Sequence, residues 1–233
     1  MGVDRKRGLF DRLGADVIVV PECSSAPEFS NELGVSFAWR GEVPTKGLGV
    51  FGLNGWPLVP APEREPMPWV LPLHIVDPRG VETALLLAVW TVATDSAPSY
   101  AAQVAAAIAA WADEIRGGAT IVAGDFNCSA QTADPRRHLL NVAELERLVA
   151  VSAYHHWNGV APGDETAMTL RWIGPGGTAS GYHCDFVFAS AALAPLISRV
   201  EVGTFAEWIE PKHSDHCPVI VDFDGPPGTR RGG

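Results

Sequence analysis

Three apolar runs in this chain begin or end on a carboxylate, and this pattern limits the fold more than any other feature. They are Asp16-Val17-Ile18-Val19-Val20-Pro21-Glu22, Ile121-Val122-Ala123-Gly124-Asp125 and Asp185-Phe186-Val187-Phe188. A short continuous run of β-branched and other apolar residues has the composition of a strand covered on both faces. Such strands require a layer of structure on each side. A charged carboxylate is costly to bury without a partner, so these acidic groups need a strand mouth, a donor or a cation.

Between those runs the sequence alternates strand and helix signals. Residues 4–13 carry Leu9, Phe10 and Leu13 at helical spacing, with Gly14 as the expected C-cap. Strands are predicted at 16–20, 35–39, 48–53 and 69–76, with Gly41, Pro44 and Gly47 in a turn-rich join and a proline-marked loop from 57 to 68. A second near-continuous strand spans 82–92, followed by an alanine-rich helix over 99–115 that Gly117 and Gly118 end. A short strand at 120–123 breaks at Gly124, and Asp134-Pro135 is expected to cap a helix reaching about 149. Strands follow near 182–189, 199–202 and 219–223, leaving 225–233 as a disordered tail. With no internal repeat, residues 1–224 are expected to form one α/β sandwich, two sheets face to face with helices outside.

The bulk composition narrows the function classes. At 233 residues and 47% hydrophobic, the chain has enough apolar material for a sizeable core. Its longest apolar stretch, near 84–93, falls short of the roughly 18 to 20 residues a membrane span needs. Residues 1–7 lead into an amphipathic segment rather than a signal-peptide core, so a cytoplasmic location is expected. Cys23, Cys128, Cys184 and Cys217 form no CxxC pair; reduced thiols packed behind neighbouring polar residues are the expectation, with zinc or disulfide as the alternative. A net charge of −10 disfavours a protein that grips long nucleic acid through many phosphates. A nuclease is still compatible, because acidic metal ligands supply part of that charge and the cation reverses the local field.

Three segments carry the candidate chemistry. In Gly124-Asp125-Phe126-Asn127 the polar side chains are two positions apart, so an extended backbone would aim both to one side, as suits a hard cation and a phosphate oxygen. The same tetrapeptide also reads as a turn closed by the Asp125 side chain. In Lys212-His213-Ser214-Asp215-His216-Cys217-Pro218-Val219, His216 is the natural general base, while a solvated loop is the competing reading. Asp185 interrupts an apolar strand and needs a partner. His216 is the candidate, since a carboxylate on one imidazole nitrogen fixes the tautomer and leaves the other to exchange a proton.

Taken in order, these motifs resemble the endonuclease/exonuclease/phosphatase superfamily, which includes exonuclease III-type DNA-repair enzymes, deoxyribonuclease I, inositol phosphatases and sphingomyelinases. The carriers are the run from Asp16 to Glu22, Gly124-Asp125-Phe126-Asn127, the Asp185 strand and Ser214-Asp215-His216-Cys217-Pro218-Val219. The resemblance implies a DNase I-like four-layer α/β sandwich of two mixed sheets flanked by helices. It implies Mg²⁺ or Mn²⁺ held by Glu22, Asp125 and Asp215, with Asp125 and Asn127 contacting water and phosphate and His216 with Asp185 as the acid/base dyad. The implied reaction is metal-assisted hydrolysis of a phosphate ester by water.

Departures from the family pattern are also visible. Members usually begin with a strand ending in an Asn that helps hold the metal, whereas this sequence starts at the helix expected to follow it. Pro21 stands where the family commonly has Gln. Trp90 falls where members carry a His or Tyr that touches the phosphate; an indole N–H could take that role, with a core tryptophan as the alternative. Trp157 and Trp172 lie in a region resembling the family's substrate-side loops, open to base stacking or ordinary packing, and Lys46 and His74 stay ambiguous. The leading expectation is a phosphodiesterase acting on a phosphate ester such as nucleic acid. A phosphomonoesterase for a small or lipid phosphate, and a catalytically silent binding domain, are the alternatives.

Overall fold

The computed structural model describes residues 7–65, 67–174 and 176–225. Helix α1 (Arg7–Leu13) leads into β1 (Val17–Cys23), and Gly14 at φ 62 makes the left-handed C-cap between them. Then come β2 (Ser36–Val43), β3 (Lys46–Gly52), β4 (Leu58–Pro60), β5 (Val70–Val76) and β6 (Glu82–Trp90). Helices α2 (Tyr100–Ala110) and α3 (Ala112–Gly117) precede β7 (Thr120–Asp125), and α4 (Arg136–Arg147) precedes β8 (Val151–Ser152) and α5 (Ala153–Asn158). The last third holds β9 (Leu170–Ile173), β10 (Ala179–Tyr182), β11 (Asp185–Ala189), β12 (Ile197–Val202), α6 (Phe205–Trp208) and β13 (Val219–Phe223). Residues 226–233, most of the segment expected as a tail, lie outside the described residues, as does the start of the first expected helix.

The central sheet is six-stranded in the order β4-β5-β6-β7-β11-β8; β6 and β7 run parallel and the other pairs antiparallel. The second layer contains β1-β3-β2 and the pair β12-β13, antiparallel throughout, so among the described residues only the central sheet is mixed. Among the described residues β1 and β13 each have one paired edge, and no ladder joins them. The apolar runs explain the layering, because they are covered on both sides. Leu85, Leu87, Val89, Val122, Phe186 and Phe188 face one core with Val104, Ile108 and Leu145 of the helices. Leu71, Leu73, Leu86, Ala88 and Ala123 face the other core, against Leu48 and Val50 of β3. A third cluster, with Phe10, Phe29, Phe51 and Leu53 buried and Phe37 packed on it, seals the outer face of β1-β3-β2 under α1. Full burial of each such side chain stabilises by about 1.5–3 kcal/mol.

Several boundaries differ from expectation for local reasons. The 35–53 region is a tight hairpin rather than two strands around a long join, because Gly41 and Gly47 sit inside β2 and β3 beneath the ring of Trp39; a Cβ at either would come within 2.5 Å of it. The long alanine-rich helix is two, split where Trp111 leaves helical geometry at φ −116, ψ 19. Pro135, not Asp134, occupies the N-cap of α4, and no side-chain cap bond forms there. The single strand expected at 182–189 is divided into β10 and β11. No described helix is long and apolar enough to cross a membrane, and no disulfide joins the four cysteines.

Candidate active site

Asp125 ends β7, which does not break at Gly124 as expected but runs through it. Position 124 has φ 138, and a Cβ there would sit 2.0 Å from the carbonyl oxygen of Val89 on the neighbouring β6. Only glycine permits that approach. The chain then turns at Asn127, φ 48, so Asp125 and Asn127 are not aligned by strand alternation. Asp125 Oδ1 accepts the Asn127 backbone N–H at 2.8 Å, and its Oδ2 accepts from Asn127 Nδ2 at 2.7 Å. Nδ2 also donates to the Thr91 carbonyl at 2.9 Å. The turn and the paired polar side chains are thus one feature: the Asp125 carboxylate closes the turn and orients the amide.

Strand β11 lies antiparallel to β7 with Asp185 opposite Asp125, which sets two carboxylates side by side. Thr169 Oγ1 accepts the backbone N–H of Cys184 at 3.0 Å and of Asp185 at 3.1 Å, and its carbonyl accepts from Cys217 N–H at 2.7 Å. Leu170 bridges to His216. One residue therefore ties the segment carrying Asp185 to the segment carrying His216. His216 Nδ1 lies 2.8 Å from Asp185 Oδ2; a carboxylate only accepts, so the ring donates there and its tautomer is set. Sequence reasoning named that pair but missed Thr169 as its brace.

Electrostatics follow from this crowding. Burial first, then the charge of Asp185, pushes the Asp125 carboxyl up to about 7; Glu22 adds to the rise while His216 and the Asn127 N–H oppose it. Burial alone would depress His216, but the carboxylates of Asp185, Asp125 and Asp215 outweigh it and raise the ring to about 9. Burial together with Asp185 and Asp125 also holds the Cys184 thiol well above its ordinary range.

Glu22 does not stand beyond the strand end. It lies within β1, in left-handed geometry at φ 57, where the register with β3 shifts between Val20 and Cys23. That bulge re-aims its side chain. Glu22 Oε1 pairs with Lys46 Nζ at 2.8 Å, and Lys46 Nζ lies 5.7 Å from the Trp90 ring centroid. Trp90 is aligned with Asp125 across β6 and β7 and is partly buried against the inter-sheet core. Asp215 is exposed next to His216, with its carbonyl accepting from Arg171 N–H at 3.1 Å. Trp157 and Trp172 are each 47% exposed.

Among the described residues, one group of donors has spacing suited to a cation: Asp125, Cys184, Asp185 and His216, with one ligand atom each inside 4.8 Å of the others. Glu22 and Asp215 lie outside that group. Cys184 was expected to pack away from its polar neighbour, but it sits in the two-residue break between β10 and β11, outside either strand, and its Sγ lies 3.6 Å from Asp185 Oδ2. Of this set the two carboxylates suit a divalent ion, while the Cys184 thiol and the His216 ring, both held toward their protonated forms, do not: Asp125 is only 4% exposed beside Asp185, and a hard cation at oxygen donors offsets that charge.

Two sheets opening onto a His–Asp pair and a row of carboxylates define the DNase I-like α/β sandwich. Residues 4–216 match the model of the Endonuclease/Exonuclease/phosphatase family, and the chain belongs to that family. Among solved structures it is similar to the 3′-5′ exonuclease NExo from Neisseria meningitidis, at 18% identity and a TM-score of 0.70 over 96% of both chains. It is also similar to an AP endonuclease from Archaeoglobus fulgidus, at 13% identity and a TM-score of 0.66 over 96% of both chains. A third, described as a 3′ phosphatase NExo from Neisseria bound to product DNA hairpin, gives 18% identity, a TM-score of 0.70 and 96% coverage of both chains. No curated protein matches the sequence. The family supports a phosphodiesterase-type hydrolase, and these neighbours share the fold.

Proposed function

We propose that this chain is a divalent-cation-dependent phosphodiesterase of nuclease type, working through the His216–Asp185 dyad. The observation that carries the reading is the 2.8 Å contact between His216 and Asp185, in register beside the buried Asp125. Asp185 is a positioning residue. It holds the imidazole through Nδ1, which leaves the second nitrogen to pass a proton to or from the reacting oxygen. Asn127 has both contacts of its amide nitrogen taken by Asp125 and Thr91, so its carbonyl oxygen is presented to a water or phosphate group. Asp125 and Glu22, with Asp215 at the rim, would hold Mg²⁺ or Mn²⁺, and Trp90 would flank the phosphate. When bound, that ion polarises the phosphoryl oxygens and steadies the leaving oxygen. Gly124 keeps Asp125 on a rigid strand, so the group that orients the nucleophile does not drift.

Hydrolysis of bis(p-nitrophenyl) phosphate and of a DNA hairpin, each with Mg²⁺, with Mn²⁺ and with chelator, tests this reading. Cleavage is expected only with the ion, and His216→Ala should slow it by about 10²–10⁴-fold at unchanged fold. Cleavage that persists in chelator contradicts the proposal. The net charge of −10, and a similar structure described as a 3′ phosphatase, favour a second reading as a phosphomonoesterase. Release of inorganic phosphate without strand scission would select it.

A further inference from the structure

Lys46 is the first residue of β3, after a two-residue turn at 44–45. The chain on either side of it is held in place. The Pro44 carbonyl accepts the Ser25 N–H at 2.8 Å, and the Trp39 indole N–H donates to the Cys23 carbonyl at 2.9 Å. The Trp39 ring lies so close over position 47 that a Cβ there would come 2.4 Å from it, which pins the start of the strand. Lys46 is thereby fixed beside the bulge that carries Glu22, with its ammonium also near the face of Trp90.

The Lys46 and Glu22 side chains are 51% and 63% exposed, and an ion pair in that setting contributes little. It is readily exchanged. A cation engaging Glu22 competes directly with the ammonium for the same carboxylate oxygen, 2.8 Å away. Once displaced, the ammonium still has three N–H donors and no acceptor capacity, and the Trp90 ring attracts it to the mouth of the site. The ligand chemistry that satisfies it there is an anionic oxygen. We propose that Lys46 is an exchangeable phosphate-binding residue: it neutralises Glu22 when no cation is held there, and turns to a non-bridging phosphate oxygen of the substrate when the cation binds. This rests on the reading of Glu22 as a cation ligand.

The test measures Mn²⁺ binding by calorimetry and steady-state hydrolysis of bis(p-nitrophenyl) phosphate, on the full chain and on Lys46→Met, Lys46→Arg and Glu22→Gln. Circular dichroism checks that each variant folds. Lys46→Met should bind Mn²⁺ about 1.5- to 5-fold more tightly, the worth of an exposed ion pair. Its KM should rise about 10-fold, as for one charge-assisted hydrogen bond, with kcat changed less than about 2-fold. Lys46→Arg should restore KM. Unchanged Mn²⁺ affinity in Glu22→Gln overturns the cation assignment at Glu22, and the exchange with it. Weakened Mn²⁺ binding in Glu22→Gln, combined with unaltered affinity or KM in Lys46→Met, overturns the role of Lys46 alone.

Discussion

His138 shows what a single buried side chain does to this protein. It is 2% exposed, touches Cys128 Sγ through Nδ1 at 3.4 Å and packs against Phe186. Burial, reinforced by His155 and His183 and opposed by Glu165, lowers it to about 4. An unfolded histidine titrates near 6.5, so the unfolded chain binds the extra proton first, and stability present above that value falls as pH drops toward 4. Between pH 7 and pH 5 the expected loss is about 2 kcal/mol. Other groups titrate over the same range, so the test is the difference in urea-unfolding stability between the native protein and His138→Leu, which should shift by that amount from pH 7 to pH 5; a difference that stays constant would contradict it. Asp125, Asp185 and His216 were legible in the sequence because a carboxylate inside or at the end of an apolar run demands a partner. Cys184 and Thr169 were not, since their roles depend on a break between two strands and on hydrogen bonds between distant segments. Lys46 is ambiguous in the sequence, and only the pairing of β1 with β3 sets it beside the bulge.

Among the elements, β5 and β6 were read to within two residues because their near-continuous burial leaves an unbroken hydrophobic signal, and β13 was read in full, whereas β1 and β7 run two to three residues beyond the expected ends. The short elements were not. Strand β4 hides among prolines, α5 and α6 are brief, and the β9–β10 hairpin is polar and glycine-rich, so tertiary contacts rather than local pattern define them. The Gly124 step in β7 is the point where element and site meet. Its glycine reads as a strand breaker, yet the close approach of β6 uses that glycine to carry the strand through to Asp125. Gly124→Ala should therefore cost about 2–4 kcal/mol in urea unfolding, from a disfavoured φ together with overlap with the Val89 carbonyl. A loss below about 0.5 kcal/mol would show that β6 and β7 can part there without strain.

At the scale of the molecule, two cores stack on the central sheet and a third seals the outer layer, while the pairing of β7 with β11 sets Asp125 and Asp185 side by side. The sandwich could be inferred from doubly covered strands, but the split of the second layer into β1-β3-β2 and β12-β13 could not, since pairing is a long-range choice. The proposed function requires a divalent cation at Asp125 with Glu22 as a second ligand. Anomalous diffraction from a Mn²⁺-soaked crystal measures it most directly. One or more peaks bonded to Asp125 or Glu22 are expected within reach of the His216–Asp185 pair, abolished by Asp125→Asn combined with Glu22→Gln. Peaks confined to other carboxylates, or none in a crystal fully exchanged with Mn²⁺, would contradict it.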